Sequence, residues 1–315
     1  QLYPTPDYRP DGLGEAILHD PYKTQIEAYR MGLENVREAA GKKVFLLGCN
    51  NAQNMRTMGG SFGLLDGMRI GRDIGAQWDH IVPCAALASS LYFFHGRVWY
   101  NDPDCLMLRD PLTLDQARAW GSLIGISGVM NVVSEWLPEL SPEKMDVFKR
   151  TLPNHGLCAR PIDLFERSIA QVWHLNIGEE NLKRDIVGLF NWDQSASSTI
   201  LLDLQKIGLP KGRYVGFDFW ENRFIAPFSE NMEFTLRPSS CHIIALQPAM
   251  EFPQLVSTSR HITQGGIDMK KIEWDADRHL LSGISSMIGN DPYELRIALP
   301  ESGEWQTKKA TSSIP

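Results

Sequence analysis

Between Tyr22 and Ala40 the apolar residues Ile26, Tyr29, Leu33, Val36 and Ala40 recur at steps of three and four, the period of an amphipathic helix. Gly41 follows where such a helix stops. The run KKVFLLG just beyond it reads as a buried strand. Further on, Thr113 and Gln116 have the spacing of a capping box and open a helix predicted to reach about Ile126, after which GVMNVVS reads as another buried strand. Ser141 and Pro142 supply the N-cap and first turn of a further helix, with Met145, Phe148 and Leu152 along one side. IVPCAALASSLYFF falls short of the roughly 20 residues that a bilayer-spanning helix needs and reads as a buried helix instead. Helices alternating with short apolar strands predict a parallel sheet.

The pattern changes near Val172. RDIVGLFNW, SSTILLDL, GRYVGFDFW, MEFTLRP and SCHIIALQP are short, rich in β-formers and punctuated by Gly, Pro, Ser and Asn, as in an antiparallel sandwich, and the style continues past Val256. The first part of the chain therefore offers about four strand-helix units, whereas a closed (β/α)8 barrel needs eight. Half of such a barrel has two open parallel edges, which must be covered.

Composition narrows the partners. With 43% hydrophobic residues in 315, the chain can bury a large core. A formal charge of -7 and no run of Lys or Arg leave no basic stripe for a phosphate backbone, so nucleic acid is not an expected partner. Five cysteines form no CxxC pair and the histidines show no HExxH spacing, which argues against a disulfide framework or a zinc site. P-loop and dinucleotide fingerprints are also missing from the sequence.

Polar residues gather just after the predicted parallel strands: Cys49 and Asn50, Arg69 and Asp73, Asp102 and Asp104, then Ser134 and Glu135. In parallel α/β folds, the C-terminal ends of strands face the ligand. Several carboxylates, an arginine, and nearby Trp78, Trp99 and Tyr100 suit a sugar, with hydroxyls around its edge and an apolar C–H face. Each pattern also has a plain structural reading. Arg69 and Asp73 have the spacing of a surface ion pair, Asp102 and Asp104 flank Pro103 as in a turn, Cys49 suits a small buried site, Ser134 and Glu135 can begin a loop, and the aromatic residues suit a core. Only their order along successive units joins them.

Taken together, VFLLGCN, GLLDGMRIGRDIGAQW, WYNDPDCLML, the stretch from LTLDQARAW to SEWLPELSP, and GLFNWD resemble the melibiase-type α-galactosidases of glycoside hydrolase clan D. The resemblance implies a retaining exo-acting α-glycosidase with a (β/α)8 barrel followed by a β-sandwich, acting on carbohydrate without a cofactor or metal. By position, Asp73 matches the general acid/base and Arg69 its partner and substrate contact. Asp104 matches a glycone-contacting carboxylate, and Cys49 and Asn50 fall where the sugar's substituents are read. Trp78, Asp102 and Cys105 complete the expected substrate-binding set. Asn50 stands where many members have an acidic residue. That departure leaves the glycone open between galactose, β-L-arabinopyranose and N-acetylgalactosamine.

A second departure concerns the nucleophile. The family carries it as an aspartate in a lysine-containing strand motif ahead of the helix matching Tyr22 to Ala40. Asp7, Asp11 and Asp20 sit instead in a Pro/Gly-rich stretch without such a strand. The expectation is thus the C-terminal half of the barrel over residues 1–170 and antiparallel β structure over 171–315. The N-terminal half, with the nucleophile, would come from another chain or an upstream segment. A transglycosylase, or a non-hydrolytic carbohydrate-binding or assembly subunit, is the alternative. A periplasmic or secreted location and a homo-oligomer are both compatible with the resemblance.

Overall fold

The computed structural model describes residues 17–49 and 55–313. These divide into two compact units. The first holds the described residues up to Leu175 together with Gly188–Ile200 and Phe234–Cys241; the second holds Asn176–Val187, Leu201–Glu233 and the chain from His242 onward.

The first unit begins with α1 (Gln25–Ala40), whose N-terminus is closed by the capping box of Thr24 and Glu27. Of the five apolar positions that define its predicted face, only Leu33 is buried; Ile26 and Val36 stay exposed. Then come β1 (Leu47–Gly48), α2 (Met55–Gly60), β2 (Gly67–Arg69), α3 (Trp78–Ser90), β3 (Tyr100–Asp102), β4 (Cys105–Leu106), α4 (Leu114–Ser127), β5 (Val132–Val133) and α5 (Pro142–Arg150). β1, β2 and β3 form a parallel sheet, and β4 pairs in parallel with β5. β3 and β4 are two parts of one extended run interrupted at Pro103 and Asp104. The order of helices and parallel strands is the one the sequence pattern predicts. The strands are shorter: KKVFLLG yields only Leu47–Gly48.

Local chemistry accounts for the boundaries. Thr113 and Gln116 make both bonds of their capping box, and α4 ends at Gly128, whose left-handed φ of 72° a glycine adopts without strain. A Cβ on Gly121 would lie 2.7 Å from Val147 Cγ1, so that glycine lets α5 approach α4 closely. The buried side of α5 is Lys144, Val147 and Arg150, one step round from the apolar side seen in the sequence. Lys144 is drawn inward because its ammonium reaches the Asp110 carboxylate and the Leu112 carbonyl, both at 2.6 Å. Around these elements Trp120, Ile81, Met68, Ile70, Leu106 and Leu123 are fully or almost fully buried.

The remainder is β structure: β6 (Arg160–Pro161), β7 (Val172–Ile177), β8 (Arg184–Asn191), β9 (Ser198–Asp203), β10 (Arg213–Asp218), β11 (Arg223–Ser229), β12 (Asn231–Leu236), β13 (Ser240–Pro248), β14 (Gln254–Thr258), β15 (Met269–Asp275), β16 (Leu280–Ser285) and β17 (Leu295–Ala298). Within the first unit β6 pairs antiparallel with β7. In the second, β10 lies antiparallel between β11 and β13, while β14–β17 and β15–β16 form two-stranded antiparallel sheets. Val215, Phe217, Ile243, Ile244 and Leu246 give this unit its own core.

Candidate active site

The parallel pairing of β2 with β3 sets Arg69 opposite Asp102, so both side chains leave the sheet at strand ends. Beyond Arg69 the chain stays against its neighbour, because Ile70 N donates to Asp102 O at 2.8 Å. The contact is tightest at Gly71, where a Cβ would sit 2.3 Å from Pro103 O. No residue with a side chain fits there unless one strand end moves away. Across this contact the Asp102–Asp104 turn folds on itself: Asp102 Oδ1 accepts from Asp104 N at 2.9 Å, and Asp104 adopts a left-handed φ of 81°, which aspartate tolerates better than most residues.

Asp104, 11% exposed in its side chain, accepts from Ile74 N at 2.7 Å and makes an ion pair with Arg69 Nη2. The same guanidinium nitrogen reaches Asp73 Oδ1 at 3.0 Å, while Nη1 lies 3.9 Å from Cys49 Sγ. Arg69 is thus shared between two carboxylates. Burial acts to lower its pKa, but Asp104, Asp102, Cys49 and Asp73 outweigh that and raise it. Its Nε is shielded from solvent and has no acceptor among the described residues. Asp73, in contrast, is fully exposed and pairs with Arg69.

Asp102, 5% exposed, has its carboxyl pushed up by burial, against the opposing pull of the Asp104 N–H and the Arg69 charge. Cys105 and Cys84 are driven up to about 11, mainly by burial, so both are thiols near neutrality. They can line a pocket but are not nucleophiles.

The other candidates lie elsewhere in the packing. Trp78 is buried, stacks on Trp192 with ring centroids 5.7 Å apart, and donates its indole N–H to Trp192 O. Trp99 is buried against Phe62 and Phe94, with its N–H on Asn101 Oδ1; Tyr100 is half exposed. Glu135 turns its carboxylate into the protein, accepting from Leu108 N and Arg109 N and pairing with Arg109, and Ser134 O accepts from the same guanidinium. Asn50 lies outside the described residues. The sequence reading passed over Gly71 and the Ile74 N–H. The glycine inside RIGRD was the available signal, because a glycine in a strand run marks a close backbone approach.

No protein-family model matches the chain. Solved structures do. A GH27 β-L-arabinopyranosidase variant from Geobacillus stearothermophilus, in complex with arabinose, matches with TM-score 0.60 and 16% identity over 73% of this chain and 56% of its own. An α-galactosidase from Saccharomyces cerevisiae matches with TM-score 0.55 and 15% identity, over 71% and 68%. An isomalto-dextranase from Arthrobacter globiformis T6, complexed with panose, matches with TM-score 0.54 and 16% identity, over 72% and 42%. In fold, the chain is therefore similar to the GH27 α-galactosidases and β-L-arabinopyranosidases, the group that the sequence motifs resemble. It spans about half the length of the first two solved structures it matches.

Proposed function

We propose that this chain carries the acid/base side and the glycone pocket of a retaining exo-α-glycosidase, with α-galactosides the first substrates to test. The observation that carries the reading is the Arg69 guanidinium shared between Asp73 and Asp104 at the ends of adjacent parallel strands. In this scheme a nucleophilic carboxylate attacks the anomeric carbon while Asp73 gives its proton to the departing oxygen. Asp73, now ionised, then takes a proton from the water that attacks the glycosyl-enzyme. Arg69 orients Asp73. The first step also needs the nucleophilic carboxylate opposite and a cover that keeps bulk water from the site.

The reading takes that cover and that nucleophile from a complementary half of the barrel, joined to residues 1–170. Exposed apolar residues at both margins of the parallel wall support it: Val44, Phe45 and Leu47 at β1, and Val132 and Trp136 at and just beyond β5. The orphan Arg69 Nε supports a further acceptor arriving in the site. Residues 171–315 are then the antiparallel β part. Galactose and β-L-arabinopyranose differ by the hydroxymethyl arm, so aryl glycosides of the two, assayed side by side, decide the glycone.

The test is an assay of the chain joined to, or co-expressed with, the segment supplying the other strands, using aryl α-D-galactoside and β-L-arabinopyranoside. Hydrolysis is expected, and Asp73→Ala is expected to spare substrates with good leaving groups and to yield a glycosyl azide of retained configuration when azide is added. Equal loss on good and poor leaving groups, with no azide product, refutes the acid assignment. The full exposure of Asp73 favours one second reading, a sugar-binding subunit without hydrolysis. Sugar binding without turnover in the completed assembly would select it.

A further inference from the structure

The second unit has a concavity of its own, with a volume of about 470 Å³, in the range of small-ligand sites. All its lining residues belong to that unit. Part of the wall is aromatic: Phe252 and Trp274 lie with centroids 5.6 Å apart and planes 5° from parallel, both half-buried. The polar groups are of mixed kind. Gln247 is fixed by Gln254, whose Nε2 donates to its Oε1 at 3.1 Å, while its own Nε2 is shielded from solvent and has no acceptor among the described residues. Arg184, 1% exposed, gives its Nη hydrogens to the carbonyls of Asn181, Lys183 and Leu255, and its Nε too has no acceptor there.

Charge gives no strong preference for an ionic ligand. Three carboxylates in the lining, from Glu180, Asp185 and Glu273, stand against the two cations of Lys183 and Arg184, so the formal balance is only one negative charge. Trp274 also stacks on His279, with centroids 6.2 Å apart, and meets Trp305 edge-on, so a ligand suited to this wall is close to neutral, has an apolar part for the aromatic cluster, and offers many groups that both donate and accept. A pyranose ring meets all three conditions.

We infer that this hollow is a saccharide-binding site built from residues other than the Arg69–Asp73 cluster, with Trp274 and Gln247 as principal contacts. The choice of a sugar over another neutral polyol rests partly on the glycosidase reading. Its role would be to hold a carbohydrate chain on the protein rather than to cleave it.

The test uses the full chain bearing Asp73→Asn, with D-galactose, L-arabinose and raffinose as probes, followed by saturation-transfer NMR and calorimetry. Binding is expected at a Kd on the order of 1 mM. Trp274→Ala should weaken it at least about tenfold, and Gln247→Ala and Glu273→Gln a few-fold, as expected for losing hydrogen-bond partners. Arg69→Ala should leave the Trp274-dependent part of the binding unchanged. If Trp274→Ala fails to fold by circular dichroism, the two milder variants decide. Absence of binding by all three sugars at about 50 mM, well above the Kd expected here, overturns the inference. So does binding that survives the substitutions in the hollow when Arg69→Ala is also present. Binding abolished by Arg69→Ala alone places the sugar in the first site and leaves the functional proposal standing; binding lost with Trp274 in a protein that hydrolyses nothing does the reverse.

Discussion

The parallel strands near Arg69 are two or three residues long, whereas β10, β11, β13 and β15 run for six to nine. Where β1 and β5 bound the first, Phe45, Leu47 and Val132 remain exposed; along β13, Ile243, Ile244, Ala245 and Leu246 are sealed completely. The difference follows from connectivity. Antiparallel strands find their partners a few residues away, so this segment of chain completes its own hydrogen bonding and core. Parallel strands need crossovers and long-range neighbours, and among the described residues this wall of four positions keeps exposed apolar margins. A hollow contained in one unit is thus whole in the second, while the Arg69 cluster has a finished back and, on the proposed function, an open front.

The sharpest way to break this contrast is kinetic. On the proposed function, Asp73→Ala in the chain joined to the complementary strands should cost roughly 10²- to 10⁴-fold in rate on glycosides with poor leaving groups. Hydrolysis at full rate by this chain alone would mean that the front is not open at all. Hydrogen exchange comes next: amides of β1 and β2 should exchange about 100-fold faster than those of β10 and β13, and should slow when the complementary strands are supplied. Equal protection in the isolated chain would remove the distinction.

Smaller effects probe the back of the site. Gly71→Ala forces a Cβ toward Pro103 O and should destabilise by about 1–3 kcal/mol in denaturant titration, while loosening the Arg69–Asp104 pair. His155 donates through Nε2 to Gly125 O and accepts Leu157 N at Nδ1, and burial lowers its pKa from 6.5 to about 4. The unfolded chain therefore binds the extra proton first. Stability should be full above pH 6.5 and fall as the pH drops toward 4, and His155→Gln should flatten that part of the profile of Tm against pH. Thr113→Ala removes one capping box and should cost about 1 kcal/mol, without touching sugar chemistry.

Much of this was legible before any coordinates. The caps at Thr113 and Ser141, the stop at Gly41 and the change of texture at Val172 are local signals, and each marks an element boundary in the structure. Strand length was not legible, because KKVFLLG carries β-forming side chains whether or not a neighbour pairs with it. Nor was the inward side of α5. Burial of Lys144 depends on Asp110 and Leu112, more than thirty residues away.

The site divides in the same manner. Sequence alone placed Arg69, Asp73, Asp102 and Asp104 at or after the ends of successive strands, since consecutive strands are usually neighbours in space. Only the tertiary structure decided that Arg69 is shared between two carboxylates, that Trp78 serves the core against Trp192, and that Glu135 braces the Leu108–Arg109 backbone. Those outcomes depend on the direction each side chain takes and on what lies across from it. Residue spacing holds neither, because contacts between distant segments form only when the strands come together in register.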